Sequence, residues 1–304
     1  EHLDAYNDRP STELLLEKQA EVYQPDDSSI KAVPGAGFTF GLFASEDIHG
    51  VGNALLRKGD LVTVGITQND GHLIITNELP YGQYEFRELN VSPSYYPHDT
   101  TYPVDLSYPG SEVSKVTVQV NQGEPILNKL VTGKIRIVKE DARKPEDWPE
   151  DDLSYRVQGA TFTIRNEALG LSYQLVTDET GVATSPLIPF GEWVIFESEP
   201  AIGYLPSEEQ QVAIIDANTT ETLTFTFQNK PTEVVITKTD LTTGTPVPGA
   251  TIEIYDADGN VVYSGITSQT GQLHAFQLPA DAHYTFRETL SPNGHALNPN
   301  SFSF

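Results

Sequence analysis

The sequence predicts an all-β chain of tandem β-sandwich domains arranged end to end, and three observations carry that expectation. Apolar and polar residues alternate in "KVTVQV" (115–120), "TLTFTFQ" (222–228), "EVVITKT" (233–239) and "TIEIYD" (251–256), the period of two that buries one face of a strand. The 21 Pro and 23 Gly are spread through the chain and interrupt helical periodicity almost everywhere. One order of residue types also recurs: Lys18, Glu88, Asn128; then Lys139, Glu197, Asn229; then Lys238 and Glu288 without a third member.

A chain of 304 residues is long for one β-domain and suits two or three. The lysines recur at intervals too long for solenoid repeats, which need their neighbours to bury a core. The reading is therefore three units that each fold alone: 1–131, 132–231 and 232–304, the last lacking its final strand. Boundaries fall at "LVTGKI" (130–135) and "NKPTEV" (229–234). Linkers are almost absent, so last strand runs into first strand, which favours a stiff array.

Along the chain, "DADGN" (256–260) is a hairpin turn between "TIEIY" and "VVYSG", because Asp and Gly tolerate the positive φ of tight turns. The segments 45–60 and 140–159 are longer than hairpins need and are expected as loops. In "VIFES", Glu197 shares parity with Ile195; Lys139 shares it with Ile135 and Ile137, and Lys238 with Val234 and Ile236. Ionisable residues in phase with apolar neighbours are the anomaly, since Lys and Glu are seldom buried without a partner.

Composition narrows the function. With no Cys, disulfides, thiolate nucleophiles and Cys metal sites are excluded, and a small extracellular domain needs some other staple. The absence of Met suggests a processed or excised piece. No apolar run approaches a membrane span and no signal-like segment is present. The 43 Asp and Glu against 18 Lys and Arg give a formal charge of −25, which repels nucleic acid and anionic membranes.

The flanking words sharpen this. The middle unit has "GATFTI" (159–164), "TDETG" (177–181), "IPFGEW" (188–193) and "ESEPAIGY" (197–204). The third keeps "PGATIEIYDADGN", "TSQTG" and "LPADAHYTFRE", with Glu288 preceding Gly294 by the offset that separates Glu197 from Gly203. The first has "PGAGFTFGLF" and "NELPYGQYEFRE" but no Gly-Tyr after its Ser-Pro. These residues resemble the Cna-B/SpaA-type domain of Gram-positive cell-surface adhesins and pilins, a small immunoglobulin-like or prealbumin-like β-sandwich. The resemblance implies an extracellular, cell-wall-associated stalk or pilus-like segment, anchored outside this chain. It also implies a self-formed Lys–Asn isopeptide bond with Glu as catalyst, a single intramolecular turnover and no cofactor. Lys139 is then the nucleophile, Asn229 the electrophile and Glu197 the proton-handling group. Lys18, Asn128 and Glu88 form the homologous set, with Lys238 and Glu288 the partial one. Glu88 stands one position further from Pro93 than Glu288 does from Pro292, so its place in the set is open.

The chemistry is physically reasonable. Only a neutral amine attacks a carboxamide; burial lowers a Lys pKa and raises that of Glu. The Glu then polarises the carboxamide and carries the proton that lets ammonia leave, while adjacent strands supply proximity. Against this stands an ordinary Lys–Glu ion pair with the Asn in a turn, which the recurrence of the set disfavours.

Other candidates are weaker. The seven His (His2, His49, His72, His98, His274, His283, His295) lack metal-ligand spacing and are expected to be solvated loop residues. The acids Glu146, Asp147, Glu150, Asp151 and Asp152 lack the spacing of a calcium loop, and Trp193 is expected in the core. No "YPKN"-like word or LPXTG signal is present. The rival reading is a ligand-binding adhesin, whose first unit would contact a host extracellular-matrix protein or glycan through "SPSYYPHDTTYPVDLSYPG" (92–110), because Tyr gives rigid amphipathic contact area. A module of a secreted hydrolase is disfavoured by the lack of any substrate-directed site.

Overall fold

The computed structural model describes residues 11–49, 54–110, 113–149, 151–280 and 282–304. The chain divides into two compact units. One comprises Glu1–Lys134 with Pro186–Glu192 and Ile214–Thr222, the other Ile135–Ser185 with Trp193–Ala213 and Leu223–Phe304.

In the first unit the long strand Ser11–Gln24 alternates inward and outward, so that Thr12, Leu14, Leu16, Lys18 and Ala20 are all buried. It pairs antiparallel with His72–Asn77 and Ser29–Pro34 and parallel with Lys115–Gln119 and Ile126–Asn128. A second sheet runs Leu61–Ile66, Thr39–Ala44, Gly82–Leu89, Thr101–Leu106. Leu14, Leu16 and Ile126 from the first sheet meet Phe40, Leu42, Tyr84, Phe86 and Val104 from the second. Removing that apolar surface from water is the main favourable term in folding. The segment 45–60 is not wholly loop: Ile48–His49 pairs with Ala54–Leu56, while 50–53 lie outside the described residues.

In the second unit the strand Ile135–Asp141 lies between Val182–Thr184 and Leu223–Asn229, the latter parallel to it over its whole length. The facing sheet runs Leu171–Val176, Thr161–Asn166, Gly191–Glu199, Gln210–Ile215, the third strand belonging to this unit from Trp193 onward and the fourth up to Ala213. Phe162 packs on Phe227 with ring centroids 4.9 Å apart, and Trp193 is fully buried as expected. Within 140–159 a single 3-10 turn, Leu153–Tyr155, is capped by Asp152, which accepts from the Ser154 amide.

Further along the same unit, Glu233–Thr237 pairs with Gln272–Phe276, and a sheet runs Val261–Ile266, Thr251–Tyr255, Thr285–Leu290, Ser301–Ser303. The hairpin at 256–260 forms, with Gly259 at φ +83°. Ser301–Ser303 joins the sheet beside Thr285–Leu290, as Thr101–Leu106 joins Gly82–Leu89 in the first unit. Among the described residues no strand pairs parallel with Glu233–Thr237, so one edge of that strand is open.

Candidate cross-linking sites

Each set of residues is positioned by the same local devices. The backbone amide of the Lys donates to the carbonyl of a turn glycine at 2.8 Å in all three cases: Lys18 to Gly71, Lys139 to Gly181 and Lys238 to Gly271. That glycine has φ of +81°, +69° and +71° respectively, and a Cβ there would fall 2.5 to 2.9 Å from the carbonyl oxygen of the same Lys. Only glycine fits both demands. Beside the turn, the hydroxyl of Thr67, Thr177 or Thr267, all buried, accepts at 2.9 to 3.0 Å from the Phe38, Ala160 or Ala250 amide, which stands just before the paired strand Thr39–Ala44, Thr161–Asn166 or Thr251–Tyr255. The "TDxxG"-like words are therefore clamps that hold the lysine strand.

The Asn is placed by parallel pairing of the first and last strands. Lys139 is opposite Phe227 and Asp141 opposite Asn229; in the first unit Lys18 is opposite Ile126 and Ala20 opposite Asn128. The offset is identical, so each Asn lies two positions further along. The Glu does not come from an adjacent strand, as the sequence suggested. It reaches across the sandwich from the other sheet, where Glu88, Glu197 and Glu288 stand opposite Phe40, Phe162 and Ile252. Glu88 thus takes the homologous place. A β-bulge follows in the pairing of Glu197 and Glu288 but not of Glu88, whose strand instead turns at Asn90 with φ +56°, a conformation Asn tolerates.

In the middle set the three groups converge without solvent. Lys139 Nζ donates to Asn229 Oδ1 at 2.6 Å, Asn229 Nδ2 donates to Glu197 Oε2 at 2.5 Å, and Lys139 Nζ lies 2.9 Å from Glu197 Oε1. The last is an ion-pair distance without hydrogen-bond geometry, since Oε1 has no donor aimed at it. The Lys139 and Glu197 side chains are 0% and 1% exposed. Burial pushes the Lys139 amine below its usual value, opposed by the Glu197 carboxylate, which enlarges the neutral, nucleophilic fraction.

In the first set Lys18 is equally buried and is pushed down to about 8 by burial, against the opposing pull of Glu88. Its Nζ donates to the carbonyls of Gln19 and Ile126, both at 3.1 Å, and lies 3.5 Å from Glu88 Oε2. Asn128 Nδ2 donates to Glu88 Oε1 at 2.7 Å. A further side chain enters here: His98 Nε2 is 2.9 Å from Asn128 Oδ1 and 3.3 Å from Glu88 Oε2, with the ring 21% exposed. His98 is thus not the solvated loop residue that its sequence context suggested. No motif marks it, but it follows Glu88 by the step at which the Ser207 and Asn298 amides donate to Glu197 and Glu288.

The third set is incomplete. Lys238 Nζ is 3.0 Å from Glu288 Oε2, with the Lys side chain 18% exposed. Where Asn229 sits in the middle set, an open groove of about 240 Å³ is lined by Ile236, Lys238, Phe286, Glu288 and Asn298. Asn298 presents its backbone amide, not its side chain, to Glu288 at 2.8 Å.

Elsewhere, no group of three or more His, Asp and Glu among the described residues is placed to hold a metal ion; Glu150 of the acidic run lies outside them. No helix among the described residues is long and apolar enough to cross a membrane. In the Tyr-rich segment Tyr95 packs on Phe38 at 5.7 Å and Tyr102 on the core, while Tyr108 is exposed and forms an edge contact with Tyr81 at 5.4 Å.

Facing sheets, with a first strand beside a last strand and a buried lysine between the layers, define tandem β-sandwich modules of the kind that build Gram-positive surface structures. The chain belongs to the SpaA family of prealbumin-like fold domains, whose model matches residues 150–230 and 232–304. It is similar to the Bacillus anthracis TIE protein, at 25% identity and a TM-score of 0.55, over 97% of this chain and 48% of that one. The chain therefore spans about half the length of that relative. It is also similar to a streptococcal ancillary pilin (16% identity, TM-score 0.34, 97% and 94% covered) and to a C-terminal fragment of the pilus adhesin SpaC from Lactobacillus rhamnosus GG (13%, 0.47, 72% and 97%). No curated protein matches the sequence. The fold is that of pilin-like structural and adhesin domains, a family of the cell surface.

Proposed function

We propose that the chain is an extracellular stalk or pilus-like segment of a cell-wall-associated surface protein, built from three units at 1–131, 132–231 and 232–304. The first two are stapled by Lys18–Asn128 and Lys139–Asn229 isopeptide bonds, with Glu88 and Glu197 as catalysts. The observation that carries this is the dry convergence at 2.5 to 2.9 Å of Lys139 on a first strand, Asn229 on the adjacent last strand and Glu197 on the facing sheet.

The reaction balances without a cofactor. The neutral amine of Lys139 attacks Cγ of Asn229, a new C–N bond forms, a proton passes from Nζ through the Glu197 carboxyl to Nδ2, and the Cγ–Nδ2 bond breaks to release ammonia. Each unit reacts once, on itself. Tension entering Ile135–Asp141 and leaving through Leu223–Asn229 then crosses the new bond and bypasses the 90-residue separation between them.

Intact-mass measurement tests the reading: two bonds leave the chain two ammonia lighter than its sequence, and a mass equal to the sequence value defeats it. The adhesin reading rests on the exposed Tyr81–Tyr108 pair. Binding of the whole chain to extracellular-matrix proteins or glycans, lost on changing both tyrosines to Ser, would support it.

A further inference from the structure

The two complete sets differ at the carboxamide oxygen. In the middle set that oxygen accepts from Lys139; in the first set Lys18 is engaged by two backbone carbonyls, and the oxygen meets His98 instead. The donors can be assigned. Asn128 turns Nδ2 to Glu88 at 2.7 Å, so the atom facing His98 is Oδ1; an amide oxygen only accepts, and His98 supplies an N–H to it from Nε2.

We propose that His98 is a further catalytic residue of the first cross-linking site, donating from Nε2 to Asn128 Oδ1. This inference rests on the cross-linking reading above. The donor lies on the oxygen where negative charge develops when Lys18 Nζ bonds to Cγ, beside the Phe38 ring, whose centroid is 4.8 Å from Lys18 Nζ. A fixed donor there stabilises the tetrahedral intermediate at no reorganisation cost. Glu88, which contacts Nδ2, carries the proton from Nζ to the leaving nitrogen. The C–N bond to Lys18 forms, the Cγ–Nδ2 bond breaks, ammonia departs, and His98 ends the reaction with its proton. The same position along the loop is filled in the other two sets by a residue that contributes only its backbone amide, to the Glu. The histidine therefore adds a contact to the electrophile that the sandwich alone does not provide.

The test separates the donor from the ring. The full chain, with His98→Phe (ring kept, donor removed) or His98→Gln (donor kept, ring removed), is made by cell-free synthesis, and each bond is followed in time by tandem mass spectrometry. The Lys139–Asn229 bond in the same molecule is the internal clock. Removing an oxyanion donor slows such reactions by about 10²–10³-fold, so H98F is expected to slow the Lys18–Asn128 bond by that order while the clock is unchanged. H98Q is expected to restore most of the rate. A wild-type rate in H98F, or equal slowing in H98F and H98Q, overturns the proposal. Absence of the Lys18–Asn128 bond in the wild-type chain, with Lys139–Asn229 formed, overturns the cross-linking reading of this unit and the role of His98 with it.

Discussion

Replacing Glu197 by Gln preserves the shape of the side chain and one hydrogen-bonding oxygen but removes the proton carrier that touches both Lys139 and Asn229. The bond is then not expected to form, and the chain becomes one ammonia heavier, after correction for the substitution, than the wild type. The stability lost can be worked from the separation of the linked residues. A cross-link closing 90 residues restricts the unfolded chain by about 4.5 kcal/mol on the chain-entropy account. For a unit of this size each kcal/mol moves the midpoint by about 4–8 °C, so the thermal transition of the middle unit should fall by roughly 20–35 °C. Intact mass and differential scanning calorimetry on the same preparation read both quantities. If E197Q is as light as the wild type, Glu197 is not the catalyst; if the ammonia is retained but the transition does not move, the staple does not carry stability.

Lys238 is expected to stay a free amine: acetylation of the native chain should label it and spare Lys18 and Lys139, and tandem mass spectrometry showing Lys238 joined to Asn298 or Asn300 would overturn the strand alignment. Gly181→Ala places a Cβ 2.9 Å from the Lys139 carbonyl at φ +69°; it should cost roughly 1–3 kcal/mol, measured by urea titration. In an unlinked Asn128→Ala variant, Lys18 remains titratable. Its folded value, pushed to about 8, lies below that of the unfolded chain, so the unfolded state holds more protons between the two. Stability of the first unit should therefore rise from pH 8 towards about 10.4 and be flat just below 8; a fall over that window refutes the assignment.

The strands and the ionisable residues among them were legible because both rest on a period of two: Lys139 with Ile135 and Ile137, Glu197 with Ile195. Four features were not. That Glu197 faces Lys139 from the opposite sheet is a matter of layer, which alternation cannot express. That Ile135–Asp141 and Leu223–Asn229 are adjacent was expected, but their parallel direction and register have no local signature. His98 sits in a loop, where no periodicity constrains a side chain, and only its distance from Glu88, compared across the three units, gives it away. The short pairing of Ile48–His49 with Ala54–Leu56 was hidden for the same reason as many edge elements: two or three residues are too few to show a pattern.

The parallel pairing of first and last strands also sets the order of events during synthesis. Lys139 meets Gly181 early but lacks its carboxamide partner until residue 229 has been made, so the middle unit cannot complete its sheet while it is still emerging. Contacts this distant in sequence form slowly. Under the cross-linking proposed above, loss of ammonia then makes the step one-way: a unit that folds correctly is ratcheted shut, and one that misfolds keeps its amine and its carboxamide. The proposed bond would in that sense be a permanent chemical record of whether each of the first two units reached its native state. Unlike a disulfide it keeps that record under reducing conditions, whose thiols have no route of exchange with an amide.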